Sequence, residues 1–207
     1  MNFTELKDEL FARGTNYLEE DATEIARGER WLNQAYREIL NLQAWPFLQS
    51  VTTGTAGAGF VSVPDLRRIR LVTDVSAGSN PGRKLNFISF EDLVDDEEMN
   101  LLTSGLPDFY WVSSTTEVNG YPLGGTIKVY YWKRVGPMTG TDEPIFDEEY
   151  HNLIVDRAMM KAYVDSDNFE ARAALKEEYE AGVRAMAEDY EILSREPEFL
   201  TPSGSDM

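Results

Sequence analysis

The chain has 207 residues, 37 acidic against 19 basic, giving a formal net charge of −18 and an isoelectric point near 4.4. Duplex nucleic acid is held mainly by Lys and Arg that neutralise phosphates, so the chain as a whole is not built for that task. With 42% hydrophobic and 12% aromatic residues, no cysteine and one histidine, it is also no acidic disordered chain, disulfide scaffold, thiol enzyme or cysteine-held metal protein.

The first residues lack the basic start and apolar run of a secretory leader. No stretch approaches the ~18 apolar residues of a membrane span, so a soluble product without a membrane partner is expected. Phe3, Leu6 and Leu10 share one face of a short helix that stops near Gly14. A second helix, capped by Asp21 or Thr23, carries Ile25, Leu32, Ala35, Ile39 and Leu42 on one stripe and is expected to end at Pro46. From about residue 47 the apolar period becomes two. Strands are expected over 60–63, over 68–75 with Ile69, Leu71, Thr73 and Val75 on the packed face, near 85–89, over 108–114 and over 126–134. Within the last of these, Ile127, Val129 and Tyr131 face one way and Lys128, Tyr130 and Trp132 the other. Residues 90–100 read as a short acidic helix, and Asn119-Gly120 as a turn. The helical period then returns. Leu153, Ile154, Ala158, Ala162 and Tyr163 predict a helix of about five turns, and Leu175, Tyr179, Val183, Met186, Tyr190 and Leu193 a second one, closed by Glu196-Pro197.

The predicted fold class is therefore α+β, a bundle of long helices from both chain ends with an inserted antiparallel β-rich subdomain. The expected division is 1–46 and 141–195 for the helices, 47–140 for the β-rich insertion and 196–207 for an extended tail.

Nothing in the sequence assembles a catalytic or metal site, and no cofactor is expected. His151 stands at a helix start beside Asp147, Glu148 and Glu149, without the second histidine or nucleophile turn that acid–base or acyl chemistry needs. Asp92, Asp95, Asp96, Glu97 and Glu98 splay around a helix instead of converging on a cation, and Asp165-x-Asp167 lacks the third oxygen ligand and the glycine of a calcium loop. Gly54, Gly57 and Gly59 precede a strand and not a helix, which makes a hairpin loop of them and not a phosphate cradle. Charge is unevenly spread: residues 1–50 hold nine acids and five bases, 51–140 ten and eight, 141–207 eighteen and six. Arg67, Arg68 and Arg70 form a polar contact cluster in the near-neutral β part, with Arg83 and Lys84 nearby, a polarity that suits stacking against partners of complementary charge. Trp45, Pro46, Phe47 and Leu48 place large apolar groups around a rigid turn and are expected to lock helices to sheet.

Several segments, in order, resemble the head–tail adaptor (connector) proteins of tailed bacteriophages. They are WLNQAYREILNLQAWPFL over 31–48, Phe60-Val61-Ser62-Val63-Pro64-Asp65 followed by Arg68-Ile69, and Gly105-Leu106-Pro107-Asp108-Phe109-Tyr110. Lys128-Val129-Tyr130-Tyr131-Trp132 and DEPIFDEEYHN over 142–152 complete the set, and the similarity spans about 20–190. A well-formed helix at the amino end is the one departure. The resemblance implies a structural virion protein, made in the host cytoplasm and not an enzyme. It would form a twelve-copy ring under the portal protein at the head–tail junction, with tail nozzle or tail-completion proteins below. Genome DNA would pass its channel without specific binding, repelled by an acidic lumen. Pro197, Phe199, Leu200 and Pro202 would form a tail that docks on the portal, and the loop of Gly54, Gly57 and Gly59 would meet the tail or a neighbouring subunit. Two other readings stay open: another tail ring or tail-completion protein contacting the tail tube, and a carboxylate-based hydrolase of cell-wall glycan.

Overall fold

Asn2 starts the first helix through a reciprocal capping box: Glu5 N donates to Asn2 Oδ1 at 3.0 Å and Asn2 N donates to Glu5 Oε2 at 2.8 Å. The computed structural model describes residues 1–14, 18, 21–55, 60–76, 78, 82–95 and 104–190. Among these residues the helices are α1 (Phe3–Arg13), α2 (Ala22–Leu42), α3 (Phe90–Asp95), α4 (Asn152–Asp165) and α5 (Phe169–Asp189). The strands are β1 (Gln49–Thr55), β2 (Val61–Ser62), β3 (Leu66–Asp74), β4 (Arg83–Lys84), β5 (Asn86–Phe87), β6 (Phe109–Ser114), β7 (Glu117–Tyr121) and β8 (Thr126–Lys133). The fold is α+β with mainly antiparallel sheets. It divides into two units, Met1–Pro46 with Gly136–Met207, and Phe47–Val135.

In the first unit Asp21 caps α2, its Oδ1 accepting from the Thr23 and Glu24 amides at 2.8 Å. The buried face of α2 is Leu32, Ala35, Tyr36, Ile39 and Leu40. Leu42, expected on that stripe, is 53% exposed. Nor does the helix run to Pro46. It ends at Leu42 because Gln43 turns extended, with φ −158°, and Trp45 folds back so that its indole Nε1 donates to the Ile39 carbonyl at 2.8 Å. That carbonyl is one of the last four of the helix, which have no intrahelical partner, so the tryptophan supplies the cap that a continuing helix would have made unnecessary. Gly28 allows α1 and α2 to approach closely, since a Cβ there would lie 3.0 Å from the Phe11 ring.

α4 is shorter than expected, 14 residues or roughly four turns. Its buried residues include Leu153, Ile154, Val155, Ala158 and Met159. It stops where Asp167 takes a left-handed conformation, φ 55°, and α5 restarts with Ala171 N donating to Asn168 Oδ1 at 3.1 Å. α5 buries Tyr179, Met186 and Ala187, and Tyr190 is its C-cap; the expected continuation through Leu193 lies outside the described residues. Residues 136–140 join this unit, with Met138 N donating to Asn33 Oδ1 at 2.7 Å.

The second unit holds two four-stranded sheets, ordered β1-β8-β3-β4 and β2-β7-β6-β5. They share a core of Val61, Val63, Val72, Val118, Ile127 and Val129. β8, central in its sheet, alternates as read from the sequence: Ile127, Val129 and Tyr131 are buried and the residues between them half-buried. β3 departs from simple alternation. Register shifts between Leu66 and Arg68 and between Ile69 and Leu71 are β-bulges, so Val72, paired with Val129, enters the core in place of Leu71. Asn119-Gly120 is no turn. Both residues lie inside β7, where Asn119 pairs with Trp111 and Gly120 with Tyr110, and the chain reverses at Thr115-Thr116 instead. An Asn-Gly pair signals a turn only when its backbone takes positive φ; here strand pairing on both sides overrides the local preference.

Candidate functional site

In the helical unit a cleft of about 560 Å³ lies between α2, α4 and α5, lined among others by Glu38, Leu42, Arg157, Tyr179 and Val183. Glu38 accepts from Arg157 Nε at 2.6 Å and from Lys161 Nζ at 2.8 Å, and the Arg157 guanidinium lies 5.7 Å from the Tyr179 ring centre. Burial alone would raise the Glu38 carboxyl, but the hydrogen bonds and charges of Lys161 and Arg157 outweigh it and hold it below the ordinary glutamate value. A group depressed in the folded state stabilises fully above its unfolded value, roughly pH 4.3, and less as pH falls through the folded value. Glu38→Gln is therefore expected to flatten the acid limb of a stability–pH curve and leave its slope near neutrality unchanged. Urea titrations of both proteins from pH 3 to 7 check this; parallel acid limbs would refute it.

In the β unit a cleft of about 300 Å³ opens at the mouth of the two sheets. Its floor is Ile69, Phe87, Tyr110 and Val112, and its rim carries Arg67, Arg68 and Arg134. Burial raises the Tyr110 phenol above its usual value, while Phe87 is 61% exposed with its ring centre 5.6 Å from that of Tyr110. Strand order explains the assembly. β5 runs parallel to β6 with Phe87 opposite Tyr110, and Tyr110 and Val112 alternate onto the same face of the sheet. The bulge at Arg67 re-aims the start of β3, as bulges near sheet edges do.

The structure thus splits the expected arginine cluster. Arg67 and Arg68 line the cleft, whereas Arg70 points elsewhere, its Nη1 donating to Gln49 Oε1 at 2.6 Å. Arg83 is engaged with Asp108 and donates from Nη2 to the Pro107 carbonyl at 2.6 Å. Arg134, expected only as the end of a strand, joins Arg67 and Arg68 in the cleft lining. The signal for it is strand register: β3 pairs with β8, and Arg134 N donates to the Asp65 carbonyl at 2.5 Å, which brings the end of β8 beside Arg67 and Arg68.

Of the turn residues, Trp45 is fully buried and Leu48 is 2% exposed, while Phe47 is half-buried and Pro46 exposed. Trp45 belongs to the helical unit, where its ring meets Tyr190 edge-on at 6.2 Å. Gly54 lies within β1, where a Cβ would come 2.9 Å from the Val61 side chain. Gly57 and Gly59 lie outside the described residues, as do Pro197, Phe199, Leu200 and Pro202.

His151 is 4% exposed and structural in its contacts. Its Nε2 donates to the Phe146 carbonyl at 2.9 Å, which leaves Nδ1 to accept from the Met1 amine at 2.9 Å. That amine also donates to Glu148, and its hydrogen bond and charge hold the Glu148 carboxyl below its usual value. Tyr150, bonded to Asp189, has its phenol pushed up mainly by that hydrogen bond. Among the described residues no group of three or more His, Asp or Glu is placed to hold a metal ion, and no helix is long and apolar enough to cross a membrane. The two clefts above each combine apolar side chains with charged ones.

The family model of the SU10 adaptor protein matches residues 1–197. No curated protein matches the chain.

Proposed function

Because the chain belongs to the SU10 adaptor protein family, a phage head–tail adaptor family, we propose that it forms a twelve-copy ring under the portal and joins the capsid to the tail. The match over residues 1–197 carries this reading, and the distribution of charge supports it. The helical unit holds 27 acids and 11 bases, net −16, and the β unit 10 and 8, net −2. In this reading the helices from both chain ends act as a bundle that lines the channel. Its acids repel the phosphates of passing DNA, which therefore moves without adhering. The near-neutral β-rich insertion makes the protein contacts, since apolar surface and balanced charge cost less to desolvate than a dense acidic face. Portal protein above and tail nozzle or tail-completion proteins below are the partners.

Mixing the purified chain with portal rings and imaging the product tests the assembly. A twelve-fold collar on the portal is the expected result; a collar formed only on isolated tail tubes would favour a tail-completion protein instead. The C-terminal segment is proposed to dock on the portal through Phe199 and Leu200, flanked by Pro197 and Pro202. Removing residues 196–207 is expected to weaken portal binding at least tenfold in a pull-down titration while the circular dichroism spectrum stays unchanged. Full binding by the shortened chain would rule out that role.

A further inference from the structure

The β unit exposes more large apolar surface than its net charge of −2 would lead one to expect. Phe87 is 61% exposed, Phe90 and Val94 are each 52% and Val112 is 37%. These four residues form two features on opposite faces of one sheet. β6 and β7 send Tyr110, Val112 and Val118 to one face and Phe109, Trp111 and Tyr121 to the other. The first face opens into the arginine-rimmed cleft. The second is covered by α3, whose Leu93 is fully buried against Trp111 and Tyr121. Helical spacing then turns Phe90 and Val94, four residues apart, onto one stripe away from that contact, with Glu91 beside them. α3 is therefore an apolar and acidic ridge, started by Ser89, whose Oγ accepts from the Asp92 amide at 3.0 Å.

We propose that the cleft of one copy receives the α3 ridge of the next, Phe90 and Val94 seating on Ile69, Phe87, Tyr110 and Val112 while Glu91 meets Arg68 and Arg134. Charge complementarity selects a second copy as the occupant. The cleft lining contains three arginines and no carboxylate, and the ridge contributes acid and no base. Among the described residues, neither Arg68, Arg134 nor Glu91 forms a side-chain ion pair, so docking satisfies them without breaking an existing one. Because ridge and cleft lie on opposite faces of the sheet, a chain cannot fill its own cleft. The contact is heterologous, the kind that closes into a ring when the rotation per copy permits. The contact rests on the ring reading above and adds the surface by which neighbours join.

The absence of cysteine from the chain permits a direct test. Full-length Phe90→Cys/Val112→Cys protein, assembled on portal rings and mildly oxidised, is expected to give a ladder of covalent multimers on a non-reducing gel. Each single-cysteine variant should remain monomeric under the same conditions. Adding Arg68→Glu and Arg134→Glu should reduce the ladder about tenfold, and adding Glu91→Arg to those should restore it. All these side chains are exposed or partly exposed. Circular dichroism confirms folding, and Val94→Cys/Phe87→Cys provides a second pair with the same expectation. Collars without a ladder in either pair would overturn this contact and leave the ring standing. A Phe90→Cys homodimer would also overturn it, since that reports a two-fold contact. Neither collars nor ladder would overturn both.

Discussion

Trp45→Ala is expected to destabilise the helical unit by about 4 kcal/mol, the middle of the range for emptying a fully buried tryptophan site. The side chain is 0% exposed, so the whole indole volume becomes cavity. Its Nε1 donation to the Ile39 carbonyl is lost as well, which leaves a helix-end acceptor inside the protein without its cap. For a chain of this size each kcal/mol moves Tm by roughly 2–4 °C, so a fall on the order of 10 °C in the helical circular dichroism transition is expected. Trp45→Phe separates the two contributions. It retains most of the packing, including the edge contact with Tyr190, and loses only the donor, at a cost of about 1 kcal/mol. A Trp45→Ala shift below about 3 °C would show that the indole neither fills the site nor caps the helix, and equal shifts for both variants would place the whole cost in the lost donor and none in packing.

The same tryptophan marks what the sequence makes legible and what it does not. The helices were readable because they carry their own signals: an apolar stripe of period 3.6, and Asp21 at the start of α2. β8 was readable because its two faces differ in chemistry. The true end of α2 was hidden, because it depends on Trp45 folding back onto Ile39, a contact that Pro46 masks by offering a simpler reason to stop. β7 was hidden by Asn119-Gly120, and the packed face of β3 by two bulges that period-two counting cannot see. The β-unit cleft was least legible. Arg68, Phe87, Tyr110 and Arg134 come from β3, β5, β6 and the end of β8, and only strand order brings them together. The family resemblance, by contrast, rested on short turn and packing signals in a fixed order, which a sequence displays directly. The match over residues 1–197 bears that resemblance out.

The β unit has its own weak point, in a turn that no helix or strand pattern announces. Gly125 adopts φ +67°, and a Cβ built there would lie 2.1 Å from Ser76 Oγ and 3.1 Å from Pro107 Cδ. Gly125→Ala therefore costs about 1–2 kcal/mol for the left-handed backbone alone, and the new methyl must displace the serine hydroxyl. That hydroxyl is committed on two sides. It donates to Asp74 Oδ1 and accepts from the Thr126 amide at 2.8 Å, so β3 and β8 are tied together where they leave the sheet. Asp74 is 0% exposed, and a buried carboxylate that loses a donor gives up about 1–3 kcal/mol. Together these effects predict a loss of roughly 2–5 kcal/mol in the β unit, read by urea unfolding followed through Trp111 and Trp132. Ser76→Ala tests the cause. It removes the hydroxyl the methyl would strike, so Gly125→Ala/Ser76→Ala should be less destabilised than the two single losses combined by at least about 1 kcal/mol. Simple additivity would place the cost of Gly125→Ala in the backbone alone and remove the hydroxyl from the account.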